Sequence, residues 1–190
     1  FYLASFSRKW YTICEVSRMV FAPYISTSSC EVVPVKINRM QNADAQKTVD
    51  LPRWQSDWTS SYISQSSCPK YAVHTVDGEL VALGMYEILG HALAVRIVYM
   101  EAQPESNPTI SGSERRYTGI GKLLIAFGIK LSIDNGFGGD VILEAKTDAL
   151  AAHYKNDFGG IELPSFGNSA APRFLIQGEP AKNIFFSYLK

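Results

Sequence analysis

The sequence predicts a mixed α/β domain on a largely antiparallel, twisted sheet flanked by helices, and three features predict it. Three β-patterned segments follow one another between residues 71 and 102, separated only by turn signals. An amphipathic helix then opens on glycines 119 and 121. After it come a short apolar strand, a second helix and an aromatic-rich last segment. The expected order is α, β, α, β-β-β, α, β, α, β, with no internal repeat.

Each element has its own signal. In residues 1–22, Phe6, Trp10, Ile13, Cys14, Val20 and Phe21 recur mostly every three or four positions, which predicts a packing helix ended by Pro23. The Ser/Thr stretch from Ser26 to Ser29 reads as a loop or linker. Glu31 to Met40 is rich in β-branched residues, and Pro34 marks it as an edge or opening strand. Residues 43–66 form a weaker helical region with Trp54 and Trp58 spaced i, i+4 on one core-facing side. The expected division is a helical extension over residues 1–30 and one domain over 31–190.

From Tyr71 the pattern sharpens. Tyr71 to Val76 is a strand, Asp77-Gly78 a hairpin turn and Leu80 to Leu89 the partner strand. Gly90-His91 turns the chain again into Ala92 to Ala102, and a polar loop with two prolines covers residues 104–113. Ile120, Leu123, Leu124, Phe127 and Leu131 make one helical stripe that stops at Asn135-Gly136. Val141 to Leu143 is a buried strand. Thr147 or Asp148 caps a helix over Ala149 to Asp157, ended by Gly159-Gly160, and Ile184 to Leu189 is read as the final strand.

Composition narrows the function. The chain has 190 residues, 46% hydrophobic, with 18 Lys+Arg against 18 Asp+Glu, so global disorder is excluded. Zero net charge argues against a protein built chiefly to grip nucleic acid, and no nucleic-acid partner is expected. Cys14, Cys30 and Cys68 lie far apart without a CxxC pair, and His74, His91 and His153 lack ligand spacing. No metal site and no disulfide framework are therefore expected. Neither a membrane span nor a secretory leader is legible, so the expected location is the cytoplasm. The chain begins with Phe rather than Met, which suggests a trimmed or incomplete start.

The chemistry concentrates at Arg116-Tyr117-Thr118-Gly119-Ile120-Gly121-Lys122. Two glycines one residue apart let a ligand approach the backbone, and the first turn of a helix leaves N–H groups free to face an anion. Arg115, Arg116 and Lys122 add positive charge, which suits a phosphate or pyrophosphate. The spacing matches neither a P-loop nor a dinucleotide fingerprint. Alone it is weak, and an ordinary turn into a helix is the plainer alternative.

Around it, however, R-x-x-G-x-G after a long strand resembles the acyl-CoA site of the GNAT superfamily of N-acyltransferases. The following VILEAKT and AAHYKNDFGG segments fit that order over roughly residues 70–190. Met100-Glu101-Ala102-Gln103-Pro104 and His153-Tyr154-Lys155-Asn156-Asp157-Phe158-Gly159 resemble most a bacterial subgroup. The resemblance implies acetyl-CoA as co-substrate, with Met100, Arg116, Tyr117, Thr118, Gly119, Ile120, Gly121 and Lys122 as its contacts. It also implies direct transfer of the acetyl group to an amine acceptor in a ternary complex. Glu101 is the candidate base, with Glu87 in reserve, and a surface or salt-bridged carboxylate (to Arg96 or Arg116) is its alternative. Tyr154 is the candidate acid for the leaving thiolate, although Gly159 follows it by five residues where the common pattern has four. The acceptor is left open among small amines, a peptide N-terminus and a protein lysine, and a homodimer is compatible with the reading. Two rivals stand beside it: a catalytically inactive GNAT-fold module binding CoA or a partner protein, and a nucleotide-binding protein using the same turn.

Overall fold

A computed structural model describes residues 19–110, 114–164 and 171–190. The expected helix over residues 1–22 lies outside them except for its last residues, and these are not helical. Val20 exchanges both backbone bonds with Lys190, and Phe21 bridges Leu189.

One nine-stranded sheet organises the chain. Its strands are β1 (Tyr24–Thr27), β2 (Val32–Arg39), β3 (Lys70–Thr75), β4 (Leu80–Leu89), β5 (Ala94–Ala102), β6 (Tyr117–Thr118), β7 (Val141–Glu144), β8 (Ile161–Leu163) and β9 (Arg173–Ile176). They lie side by side in the order β6-β1-β2-β3-β4-β5-β7-β9-β8. All neighbours are antiparallel except β5 and β7. The hairpin turn between β3 and β4 forms as read, with Gly78 at φ +88° and its N–H donating to Thr75.

Four readings are corrected. Ser26 and Thr27, read as loop, belong to β1, where Ser26 pairs with both β2 and β6 and Thr27 with β6. Strand β2 is internal, not an edge. Pro34 is tolerated there because pairing with β3 begins only at Val35, so its missing N–H costs no ladder bond. Residues 43–66 fold into two short helices, α1 (Asn42–Gln46) and α2 (Ser61–Ser64), with both tryptophans in the turns between them. Finally, Ile184 to Leu189, read as the final strand, instead holds the end of a helix over Gly178–Phe186 and the turn after it, and the last strand is β9.

Three longer helices complete the fold: α3 (Ile120–Asp134), α4 (Asp148–Asn156) and α5 (Gly178–Phe186). Thr147 caps α4 by accepting from the Leu150 N–H at 3.2 Å. Helix α3 buries more than its predicted stripe, because Ile125, Ala126 and Ile129 also reach 0% exposure. A β-carbon on Gly128 would come within 3.1 Å of Ile97, so glycine there lets α3 sit close on the sheet. The Tyr86 hydroxyl donates to the Leu124 carbonyl at 3.0 Å and ties the two layers. The main core fills this face. A second core on the other face gathers Trp54, Trp58, Ile63, Leu80, Leu83 and Met85.

Candidate functional site

Strands β5 and β7 run parallel and pair only at Val95–Val141, Arg96–Ile142 and Ile97–Leu143. Strand β7 ends at Glu144 while β5 continues to Ala102. Beyond Ile97 the β7-facing edge of β5 has no ladder partner among the described residues. The carboxyl ends of parallel strands thus part into a crevice, the place where open α/β sheets admit ligands. A bulge in the β4–β5 pairing leaves Val98 as an extra residue on β5 and shifts its alternation. Ile97, Met100 and Ala102 consequently pack with the main core, while Tyr99 contributes to the second.

Glu101 points to that second face. It is 8% exposed, and its two oxygens accept from the Ser56 backbone N–H and the Trp58 indole N–H, each at 3.0 Å. It is therefore neither a surface carboxylate nor salt-bridged. Arg96 instead contacts Glu87 at 3.3 Å and Glu144 at 3.5 Å, and Arg116 contacts Glu79 at 2.9 Å. Glu87 is half-exposed, ion-paired and opposite Arg96, one residue before the row at which β5 and β7 part. Holding a buried carboxylate with neutral donors alone is costly, which sets Glu101 apart from the other acids discussed here.

The glycine turn sits at the head of α3. Gly119 is its N-cap residue with φ +79°, in the left-handed region that favours glycine. A β-carbon on Gly119 or Gly121 would meet nothing within 4 Å, so the space above the turn is open. The N–H groups of Ile120, Gly121 and Lys122 precede the first intrahelical bond, from Leu123 to Gly119, and have no acceptor within the helix. The 15-residue helix adds its positive dipole end there. Lys122 lies 5.9 Å from the Tyr188 ring and lines a groove of about 380 Å³ with Phe158, Gly159, Pro180 and Asn183.

Tyr117 and Arg116 do not float beside this turn. Glu79 accepts from the Tyr117 hydroxyl at 3.0 Å and the Gln103 amide at 3.1 Å while pairing with Arg116. The Tyr117 N–H donates to Ser106. Thr118 pairs with Ser26 at the far edge of the sheet.

Tyr154 is on α4, 3% exposed, with its ring 6.0 Å from Phe174. Phe174 pairs with Leu143, which pairs with Ile97, so Tyr154 covers the row at which β5 and β7 part. Burial pushes its phenol up to about 12, which extends its protonated range above pH 10. After α4, a β-carbon on Gly159 would lie 2.9 Å from Pro180 and one on Gly160 2.8 Å from the Tyr154 carbonyl, so both glycines are needed to reverse the chain.

The structure thus sets Glu101 and Tyr154 on opposite faces of the crevice and places Arg116–Lys122 at the head of α3. Sequence reasoning missed Ser56, Trp58 and Glu79. Trp58 carried a misleading signal in its spacing from Trp54, and no local pattern links Glu79 to Arg116. Among the described residues, no group of three or more His, Cys, Asp or Glu could hold a metal ion, and no helix is long and apolar enough to cross a membrane.

No protein-family model and no curated protein sequence matches the chain. Solved structures do match. The spermidine/spermine N-acetyltransferase SpeG from Vibrio cholerae, in complex with manganese ions, superposes with a TM-score of 0.51 at 14% identity, covering 80% of this chain and 96% of that one. AAC(6')-Ib in complex with paromomycin and acetyl-CoA gives 0.52 at 14% identity, covering 78% and 96%. A SpeG chimera from Vibrio cholerae and hSSAT gives 0.51 at 14%, covering 79% and 97%.

Proposed function

Since the chain carries the GNAT acetyltransferase fold, we propose that it is an N-acetyltransferase that moves an acetyl group from acetyl-CoA to an amine in a ternary complex. The observation that carries the proposal is the crevice between β5 and β7, flanked by Glu101 on one face and Tyr154 on the other. Acyl transfer to an amine needs a base and an acid on the two sides of one carbonyl.

The residues present fit acetyl-CoA. Open space over Gly119 and Gly121, the free N–H groups of Ile120, Gly121 and Lys122, and the Lys122 ammonium suit a pyrophosphate. Arg116 and the Tyr117-Thr118 segment border it, and the unpaired edge of β5 around Met100 offers main-chain partners to an extended chain. When bound, acetyl-CoA supplies a thioester whose C–S bond breaks as the amine's N–C bond forms. Glu101 receives the proton lost by the amine, directly or through water. Tyr154, a phenol protonated at neutral pH, gives its proton to the departing sulfur. A main-chain N–H near Met100 or Glu101 faces the carbonyl oxygen.

The test is a thermal shift with CoA, acetyl-CoA, ATP and NAD side by side. Ligand at about 100 times its dissociation constant adds roughly 2.7 kcal/mol, on the order of 5–10 °C in Tm for a chain of this size. A shift with CoA and acetyl-CoA only is the expected result. No shift with either overturns the reading.

A further inference from the structure

Beside Glu101 the second face carries a short row of aromatic groups that ends in a cation. Tyr99 precedes Glu101 by two residues on β5, about 7 Å along the strand. The Trp58 ring meets both, donating to Glu101 and standing edge-on to Tyr99 at 6.4 Å. Tyr62, 72% exposed, stands edge-on to Tyr99 at 6.2 Å. Beyond them, just past the end of β7, the Lys146 ammonium lies 4.4 Å over the Tyr99 ring.

The charges along this row are asymmetric. Glu144, which also acts electrostatically on Tyr99, shares the Arg96 guanidinium with Glu87, at 3.5 Å and 3.3 Å. Lys146 is exposed, and no carboxylate among the described residues lies within ion-pair distance of it. At the inner end the Glu101 carboxylate has neutral N–H partners only. The row therefore presents the Glu101 carboxylate at the crevice, the Lys146 ammonium at the rim and an aromatic wall between them.

Resting on the acetyl-transfer reading above, we propose that the acceptor is zwitterionic: an amine carrying a carboxylate about one dipeptide length away, in the amino acid or short-peptide class. Its ammonium sits at Glu101, its apolar middle lies against Tyr99 and Tyr62, and its carboxylate pairs with Lys146. A polycation would meet the Lys146 charge at the rim instead. Opposite charges matched at both ends fix which nitrogen enters the crevice, which is specificity rather than raw affinity.

The experiment compares three acceptors at saturating acetyl-CoA: phenylalanyl-glycine, its C-terminal amide and spermidine. CoA binding is followed separately by thermal shift. The free dipeptide is expected to exceed its amide by about fivefold in kcat/KM, the range of one partly exposed ion pair. Lys146→Met is expected to erase that preference, and Lys146→Glu to reverse it toward the amide and spermidine. The CoA shift should be unchanged in both variants, which also shows that they fold. Equal turnover of dipeptide and amide, a preference for spermidine in the unmodified protein, or no turnover of any of the three while CoA still binds, each overturns this inference and leaves the CoA site standing. Loss of CoA binding in the unmodified protein defeats the acetyl-transfer reading itself.

Discussion

Glu79 and Glu101 are two partly or wholly buried carboxylates near the crevice, and they are satisfied in opposite ways. Glu79 gathers a guanidinium, a phenol and an amide, joining the segment before the glycine turn to Gln103 just past the end of β5. Glu101 has only two neutral N–H donors, both from the segment after α1. The difference separates bracing from chemistry. A carboxylate opposed by Arg116 has its charge offset by a fixed cation and serves geometry. A buried carboxylate with neutral donors has no fixed cation beside it, which leaves that place to an incoming ammonium.

The largest expected effect breaks this comparison at Glu101. Glu101→Gln preserves volume but cannot take a proton, and its NH2 must face one of the two N–H donors. Turnover is expected to fall by roughly 10²–10⁴, the usual contribution of a positioned base, while the CoA thermal shift stays unchanged. Steady-state rates beside the shift assay check both halves. A variant retaining most of its kcat would show that the buried carboxylate only anchors Trp58 and Ser56.

A smaller effect is expected at Glu79. Glu79→Ala frees Arg116, Tyr117 and Gln103 together, loosening the segment that leads into Gly119. The KM for acetyl-CoA is expected to rise by about three- to tenfold with kcat within about twofold, since only uniform binding is lost. A fall in kcat matching that of Glu101→Gln would erase the distinction between the two glutamates.

The same contrast explains what was legible in the sequence. The β3–β4–β5 meander, α3 with its glycine entry, and the Thr147-capped helix each follow from neighbouring residues, because turns, caps and periodicity are local. The partners of Glu101 are 43 and 45 residues away, and those of Glu79 between 24 and 38, so no spacing rule reaches them. Where local signals conflict, the more conspicuous one misleads. IFFSYL has strong β propensity, yet Ala181, Ile184 and Tyr188 recur at helical spacing and are the buried positions. Trp54 and Trp58 matched a helical face by spacing but lie in turns, where burial against the sheet rather than periodicity sets their places. Strand β8 has no legible signal because its three residues are mostly exposed and carry little pattern.

The smallest effect sharpens the comparison across the sheet, between the face of Glu101 and that of Tyr154. On the Tyr154 side burial alone raises the phenol to about 12, and the same cause raises Tyr86 and Tyr188. A raised folded-state value favours the protonated form in the native protein. The stability this contributes is complete below pH 10, where the unfolded phenol is also protonated, and is lost as pH rises from about 10 to about 12. Urea unfolding of the unmodified protein and Tyr154→Phe across that window should show the unmodified protein losing up to about 2 kcal/mol more than the variant. In turnover, no alkaline limb from Tyr154 is expected below about pH 11, because the acid stays protonated there. Identical stability slopes in the two proteins would mean that water reaches the phenol, and the two faces of the crevice would then differ in chemistry but not in dryness.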